Sequence, residues 1–239
     1  MKEEWVKIQG ILEEIVDVYE IGNRLLSFGK SEELRREALK DLSGEGLLLD
    51  VGCGPGNMAL AALSKGWKGE IVMLDPLLPM LRRAKRIGNV NLIQAIAEYL
   101  PIRSTCIDVW IAGFSFRDFI DRERSLKELA RALKKDGKGY LLDLAKPDNI
   151  AKRVIIFIYW ALSPILTFLK LGKIGLKYRG ILTTYRKLPT NSKLLSLFKE
   201  VFREVSYFTK FLEGVVVIKV KGPRIYVEDR IASSYRRLP

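Results

Sequence analysis

The sequence predicts an α/β fold: a doubly wound, mostly parallel sheet with a helical lid insertion and a C-terminal antiparallel hairpin. Three observations carry that expectation. The run Leu47-Leu48-Leu49-Asp50-Val51 leads straight into Gly52, Gly54 and Gly56 and then into an Ala/Leu-rich stretch, Asn57 to Ser64. A buried parallel strand that ends in a glycine turn and opens a helix reads this way. From there to residue 145, apolar strand-like runs alternate with amphipathic helical ones, the pattern of βα units laid into one sheet. After Lys146 the alternation stops; a charge-free apolar segment intervenes and two strand-like runs close the pattern.

The 239 residues read as one domain, 1–239, with a helical cap over 1–44 and an apolar, basic lid over 146–190. In the cap, Trp5, Ile8, Ile11, Leu12, Ile15, Val16 and Tyr19 recur at helical spacing opposite Glu13, Glu14 and Asp17. Turns follow at Gly22-Asn23 and Ser27-Phe28-Gly29, then a charged helix from Glu32 to Leu42. Beyond the opening strand come a strand at Ile71–Asp75 and a helix at Met80–Ile87. A short strand at Asn91–Ile96 precedes the loop Glu98-Tyr99-Leu100-Pro101. Asp108 to Phe114 suits a central strand, with Ser115-Phe116-Arg117-Asp118 as the loop at its C-terminal edge, where open α/β sheets take ligands. Leu126 to Leu133 reads as a helix closed by the basic turn Lys134-Lys135-Asp136-Gly137. Tyr140–Leu144 is the next strand.

Val154 to Leu169 is sixteen residues without a charge, between Arg153 and Lys170 and broken at Pro164. It falls short of the roughly 20 residues that span a bilayer. It reads either as a buried helix or helix pair, or as an interfacial lid. A looser stretch holds Gly172, Gly175 and Gly180. Ser192–Phe202 returns to helical spacing, Val205–Phe211 and Val215–Val220 form the hairpin, and the basic tail from Gly222 has no assignment.

Composition narrows the chemistry. Histidine is absent, which excludes histidine-based catalysis and makes a zinc site implausible. Cys53 and Cys106 give no disulfide framework and suggest a reducing compartment. No signal peptide is expected at the N-terminus, so the protein is expected in the cytoplasm. Abundant Lys, Arg and Glu with little Gln resemble a thermophile's composition. The net charge of +13 is unevenly spread: residues 1–145 hold 22 basic and 22 acidic residues, while 146–239 hold 19 and 6. A uniformly basic nucleic-acid-binding core is therefore not expected, and any function must account for a cationic C-terminal part.

The glycine loop could serve a dinucleotide or S-adenosylmethionine, or be an ordinary tight turn. Its spacing G-x-G-x-G does not complete the dinucleotide fingerprint. Asp50 would repel a pyrophosphate but suits the cationic groups of S-adenosylmethionine. Nineteen residues past Gly56, Asp75 ends the next strand, where a carboxylate can accept from both ribose hydroxyls. Together these favour S-adenosylmethionine, with no metal.

Several fragments, in order, resemble the ubiquinone/menaquinone biosynthesis C-methyltransferases, a branch of the class I (Rossmann-like) S-adenosylmethionine-dependent enzymes. Tyr19-Glu20-Ile21-Gly22-Asn23 and Leu26-Ser27-Phe28-Gly29 are similar to that family's Y-D-x-M-N and L-S-F-G, and Ala97-Glu98-Tyr99-Leu100-Pro101 to its A-E-x-L-P. Gly113-Phe114-Ser115-Phe116-Arg117-Asp118 resembles S-F-G-L-R-N, and Arg131-Ala132-Leu133-Lys134 resembles R-V-L-K. The chain departs from the pattern at Pro55, Ile96, Gly113 and Asp118. The resemblance implies a cofactor site formed by Tyr19, Asp50, Gly52, Cys53, Gly54, Pro55, Gly56, Asp75, Pro76, Ile96, Ala97 and Gly113. It implies methyl transfer to a ring carbon of a prenylated quinol. With no histidine, Arg117 would stabilise the phenolate or orient a water and Asp118 would be the base; a surface ion pair of Arg117 with Asp118 or Asp121 is the alternative. Tyr19 would close over the cofactor or serve as a core tyrosine. A bilayer-dwelling acceptor would bring the basic half against an anionic membrane surface. Methylation of another small molecule or lipid is the runner-up, and RNA a more distant one. Homo-oligomerisation stays open.

Overall fold

The structure, a computed structural model, describes residues 10–224. The strands are β1 (Leu47–Val51), β2 (Glu70–Asp75), β3 (Asn91–Gln94), β4 (Ile107–Gly113), β5 (Leu133–Leu144), β6 (Phe202–Lys210) and β7 (Val215–Pro223). Helices α1 (10–15), α2 (Tyr19–Leu26) and α3 (Ser31–Ala38) precede the sheet. Helices α4 (Asn57–Ser64), α5 (Leu78–Ala84) and α6 (Arg122–Ala132) link parallel strands. Helices α7 (Ile150–Leu171), α8 (Arg179–Arg186) and α9 (Asn191–Val201) lie between β5 and β6.

The sheet runs β3-β2-β1-β4-β5-β7-β6; β1 to β5 are parallel, and β7 pairs antiparallel with both β5 and β6. The chain enters at β1, moves out to β3, and returns to β4 on the other side of β1. The loops after β1 and β4 therefore leave side by side, the switch point at which such sheets form their ligand crevice. The inner strands β1, β2, β4, β7 and the C-terminal half of β5 are apolar on both faces, as burial between helix layers demands, while the edge strands β3 and β6 are partly exposed. Leu48, Met73, Ile111, Leu142 and Val217 point to the layer of α3, α4 and α7. Their neighbours Leu49, Leu74, Trp110, Leu141 and Val216 point to the layer of α6 and α9.

Four local expectations need correction. The first helical stretch is divided: α1 gives way to a turn at 16–18 before α2, while Trp5 and Ile8 lie outside the described residues. Gly22 is no turn but a buried position inside α2, where a Cβ would sit 1.9 Å from the Tyr178 hydroxyl oxygen. Tyr178 donates from that hydroxyl to Val18 O and lies 3.2 Å from Tyr19 O, so the missing side chain lets α2 dock on the segment before α8. Lys134–Gly137 does not cap α6; it belongs to β5, whose pairing with β4 begins at Leu133 opposite Ile107.

The fourth concerns the lid. α7 runs unbroken through Pro164 and ends at Gly172, whose φ is 64°; a 3-10 segment (Gly172–Tyr178) then leads into α8, so Gly175 and Gly180 stand in helical segments and not in a loose stretch. Proline removes the N–H that would bond to the carbonyl four residues back, here Trp160 O. The Ser163 hydroxyl donates to that oxygen instead, at 2.8 Å. The Thr167 hydroxyl lies 2.7 Å from Gly175 O, and Gly175 packs so closely on the Thr167 backbone that a Cβ would lie 2.4 Å from it. At 22 residues α7 is about 33 Å long. Ile150–Arg186 is, among the described residues, one helical stretch long and apolar enough to cross a membrane by length and composition. The sixteen-residue charge-free run understated it, because the helix extends past its flanking cations.

Candidate active site

Between β1 and α4 the backbone takes three left-handed steps, at Gly52, Gly54 and Gly56. Each serves a different need. At Gly52 a Cβ would lie 2.6 Å from the Ser115 Cβ, so its absence lets the loops after β1 and β4 touch. Gly54 faces open space. Gly56 caps α4 and packs beneath Ile87 and Met73. Gly52 N and Cys53 N donate to Leu74 O, and the Ser115 hydroxyl donates to Val51 O, which locks the loop to both neighbouring strands.

Asp50 and Asp75 sit beneath this loop. Asp50 is fully buried; its Oδ2 accepts from Ala59 N in the first turn of α4, while its Oδ1 is buried without a hydrogen-bond partner. Burial pushes its carboxyl up to about 7, against the Ala59 N–H. Asp75 Oδ2 accepts from Gly54 N at 2.8 Å and Oδ1 from Leu77 N at 2.9 Å. Burial pushes it up to about 6, partly offset by those two N–H groups. An orphaned buried carboxylate oxygen invites a cation. Each Asp75 oxygen keeps a lone pair for a further donor.

A cavity of about 80 Å3 opens beside Asp75. Of the residues expected at the cofactor it brings together Tyr19, Gly52, Gly54, Asp75, Pro76, Ile96 and Ala97, with Asp118 as well. Asp50, Cys53, Pro55, Gly56 and Gly113 do not line it. Gly113 instead lies under Met58, whose Cγ would be 2.2 Å from a Cβ. Cys53 is buried, and its thiol is pushed up by that burial and by Asp50 and Asp75. Leu77, Met80, Glu98, Ser115 and Phe119 are among the other walls and were not anticipated there.

A second, apolar cavity of about 300 Å3 lies under α7; Phe28, Ile156, Tyr159, Trp160 and Phe211 are among its walls, with Asn23, Arg35 and Arg117 as polar members. A narrow space of about 30 Å3 shares Tyr19 and Asp118 with the small cavity and Asn23 and Arg117 with the large one. Phe114 borders both main cavities. Its φ of 60° is a left-handed conformation that a bulky residue adopts only under constraint.

Arg117 is a buried residue, not a surface one. Its Nη1 is 3.1 Å from Asp143 Oδ1, its Nη2 3.5 Å from Asp118 Oδ2, and its backbone N donates to Asp143 Oδ2 at 2.9 Å. Nη1 also donates to Phe114 O, so the guanidinium braces the strained residue. Burial works against this charge, yet Asp118 and Asp143 outweigh it and hold Arg117 above its ordinary value. Asp118 is raised by burial despite the Arg117 charge. Tyr19 is likewise raised by burial, with Arg117 pulling the other way. Asp143 was missed by sequence reasoning, although an acid inside the apolar run Tyr140–Leu144 repeats the signal that singled out Asp50.

The ubiE/COQ5 methyltransferase family matches residues 1–221. The chain belongs to that family. A demethylmenaquinone methyltransferase of Thermotoga maritima is 30% identical over 203 residues, covering 82% of this chain and 88% of the relative. A ubiquinone/menaquinone biosynthesis C-methyltransferase of Syntrophotalea carbinolica is 33% identical over 146 residues; the match covers 58% of this chain and spans 62% of the relative's length. Among solved structures, a SAM-dependent methyltransferase of Thermotoga maritima, described as a possible histamine N-methyltransferase, superposes with a TM-score of 0.62. At 21% identity, over 90% of this chain and 99% of that one, it shows the shared fold alone. The cofactor of the family, and of this chain, is S-adenosylmethionine, which the orphaned Asp50 oxygen, the open Gly54 backbone and the free Asp75 lone pairs fit.

Proposed function

We propose that the chain methylates a ring carbon of a prenylated quinol. The observation that carries this reading is the pairing of two cavities across Phe114, an acid-lined one beside the glycine loop and a larger apolar one holding guanidinium groups. The bound cofactor supplies an electrophilic methyl carbon on a cationic sulfur. Asp75 holds the ribose hydroxyls, the backbone of 52–56 wraps the methionyl portion, and Asp50, buried beneath that loop, supplies negative charge toward the ammonium end without lining the cavity. Pro76, Ile96 and Ala97 flank the adenine, and Tyr19 closes the near side. Within the apolar cavity Arg117 stabilises the phenolate that makes the ring carbon nucleophilic. Asp118, raised by burial toward the working pH, takes the phenol's proton. The cap and the lid bring the reactants together and exclude water, which is the main demand of an in-line displacement.

Labelled S-adenosylmethionine offered to the protein with a cell lipid extract and with RNA tests the reading. Label is expected in the quinone fraction; label confined to RNA overturns it.

Cofactor binding is expected to depend on pH. Asp50 and Asp75 have folded-state values near 7 and 6, above the unfolded value near 4. Between those values the folded state binds more protons than the unfolded one, so their contribution to apoprotein stability falls as pH rises. Ionised carboxylates are what the cationic cofactor needs, so affinity moves the other way. Calorimetry is expected to give about ten-fold or more tighter binding at pH 8 than at pH 5.5; equal affinities would contradict both roles.

The lid suits a membrane surface. Ile156, Trp160, Ser163 and Thr167 form the buried stripe of α7, while Val154, Ile158, Leu162, Ile165 and Leu169 form an exposed one, at 50%, 50%, 48%, 56% and 77% of full exposure. No Asp or Glu occurs between Asp148 and Glu200, whereas Lys152, Arg153, Lys170 and Lys173 bracket the helix. An apolar helix face set among cations favours peripheral contact with an anionic bilayer at the cytoplasmic side. Co-sedimentation with phosphatidylglycerol vesicles is expected, lost in about 0.5 M salt or on combining Ile158→Glu with Leu162→Glu. Binding that ignores lipid charge would contradict it.

A further inference from the structure

Arg35 and Arg117 are the two buried cations among the described residues; the Nε of each lacks a hydrogen-bond partner, and Arg35 is the one without a carboxylate partner. Arg35 lies on α3 with 8% of its surface exposed, between the apolar cavity, which it lines together with Arg117, and an open polar cleft, which it lines with Glu20 and Glu32. Its Nε is buried with no hydrogen-bond partner, and no carboxylate among the described residues lies within ion-pairing distance of its guanidinium. Its one defined contact is the face of Phe114, 5.4 Å from the ring centroid. Burial lowers its affinity for the proton, with only distant support from Tyr19, Asp50 and the acids of the cap. Arg117, by contrast, is matched by two carboxylates.

An unpaired guanidinium in an apolar cavity costs free energy. Folding gains nothing from it in this arrangement. The groups that would satisfy it are oxygen acceptors, and the cavity is where such a group can arrive. A phenolate or carbonyl oxygen accepts strong, charge-assisted bonds from a planar guanidinium. A ring with a single oxygen needs one such partner. A ring with two oxygens on opposite carbons needs two, and this cavity holds two guanidinium groups with Phe114 contacting both.

We propose that Arg35 is a specificity-determining substrate-binding residue, which donates to the second ring oxygen of a dioxygenated aromatic acceptor while Arg117 serves the first. The assignment rests on the quinol reading of the site and adds the residue that selects two-oxygen rings. Arg35 does not line the cofactor cavity and reaches Asp50 and Tyr19 only through longer-range charge, so its main effect falls on acceptor affinity.

The test compares wild type with Arg35→Met and Arg35→Lys, using a 2-prenyl-1,4-naphthoquinone with one isoprene unit as the binding probe. Quenching of Trp160 fluorescence gives its dissociation constant. The quinol form, kept anaerobic, gives KM and kcat. Arg35→Met is expected to weaken probe binding by about ten-fold or more, with a much smaller change in calorimetric affinity for S-adenosylhomocysteine at pH 8 and with Arg35→Lys recovering part of the loss. Because the wild-type guanidinium is unmatched, Arg35→Met is also expected to unfold at the same temperature as wild type or higher. A structural arginine would behave in the opposite way, and a fall in melting temperature with probe affinity intact overturns the assignment. Probe binding by wild type that Arg35→Met matches within two-fold overturns the Arg35 role alone. Failure of wild type to bind the probe overturns both the role and the quinol reading beneath it.

Discussion

Asp75→Ala is expected to weaken S-adenosylmethionine binding by about a hundred- to a thousand-fold. Hydrogen bonds to a charged group contribute about 1.5–3 kcal/mol each, and the substitution removes two from the ribose. It also removes the acceptor of Gly54 N and Leu77 N, so the glycine loop loses the tie that holds its open backbone toward the cavity. Asp75→Asn separates the two effects. It keeps the shape and one acceptor oxygen but presents an NH2 group to a backbone N–H that needs an acceptor, so an intermediate loss is expected. Calorimetry on all three proteins at pH 8 is the measurement, and unchanged affinity in Asp75→Ala would refute the ribose role. The effect is expected to shrink near pH 5, where Asp75, with its value near 6, is largely protonated in the apoprotein.

The sheet was legible because its signals are local. An apolar run of five residues, a glycine turn and an Ala-rich helix are contiguous in the chain, so Leu47–Ser64 could be read without knowing its neighbours. Asp50 and Asp75 were legible for the same reason, each standing as an acid at or near the end of an apolar strand. What escaped depends on contacts distant in sequence. Gly22 looked like a turn because glycine usually is one, and only Tyr178, more than 150 residues later, explains it inside a helix. Pro164 looked like a break because the compensating donor is a side chain, Ser163, whose rotamer the sequence does not announce. Lys134–Gly137 had the composition of a helix terminus, and it lies instead in an irregular stretch of β5 between the pairs Leu133–Ile107 and Lys138–Val109. Arg35 is the clearest case. On the sequence it is one of many charges in a solvated helix, and only its burial beside Phe114 distinguishes it.

Arg117→Ala is expected to destabilise the protein by about 3–5 kcal/mol, which for a domain of ordinary stability is a large share of the total. The reason is what stays behind. Asp143 is buried on β5 and Asp118 nearly so, and both lose the cation that offsets their desolvation. Asp143→Ala should cost a similar amount, since it strands the buried guanidinium and orphans Arg117 N. Loss of turnover in either single variant therefore says little about chemistry, because by the same argument each is expected to be poorly folded at assay temperature. The paired variant Arg117→Met/Asp143→Leu resolves this. It removes the Arg117–Asp143 pair and replaces it with apolar groups of comparable size, an exchange that is often neutral or stabilising for buried ion pairs, and leaves Asp118 and the backbone N of residue 117 without their partners. Thermal unfolding is expected to return part of the way to wild type, above either single variant. Methyl transfer is not, because the phenolate would have lost the guanidinium that stabilises it. Restored folding together with restored turnover would show that Arg117 holds Phe114 and the loop after β4 in shape and takes no part in the reaction.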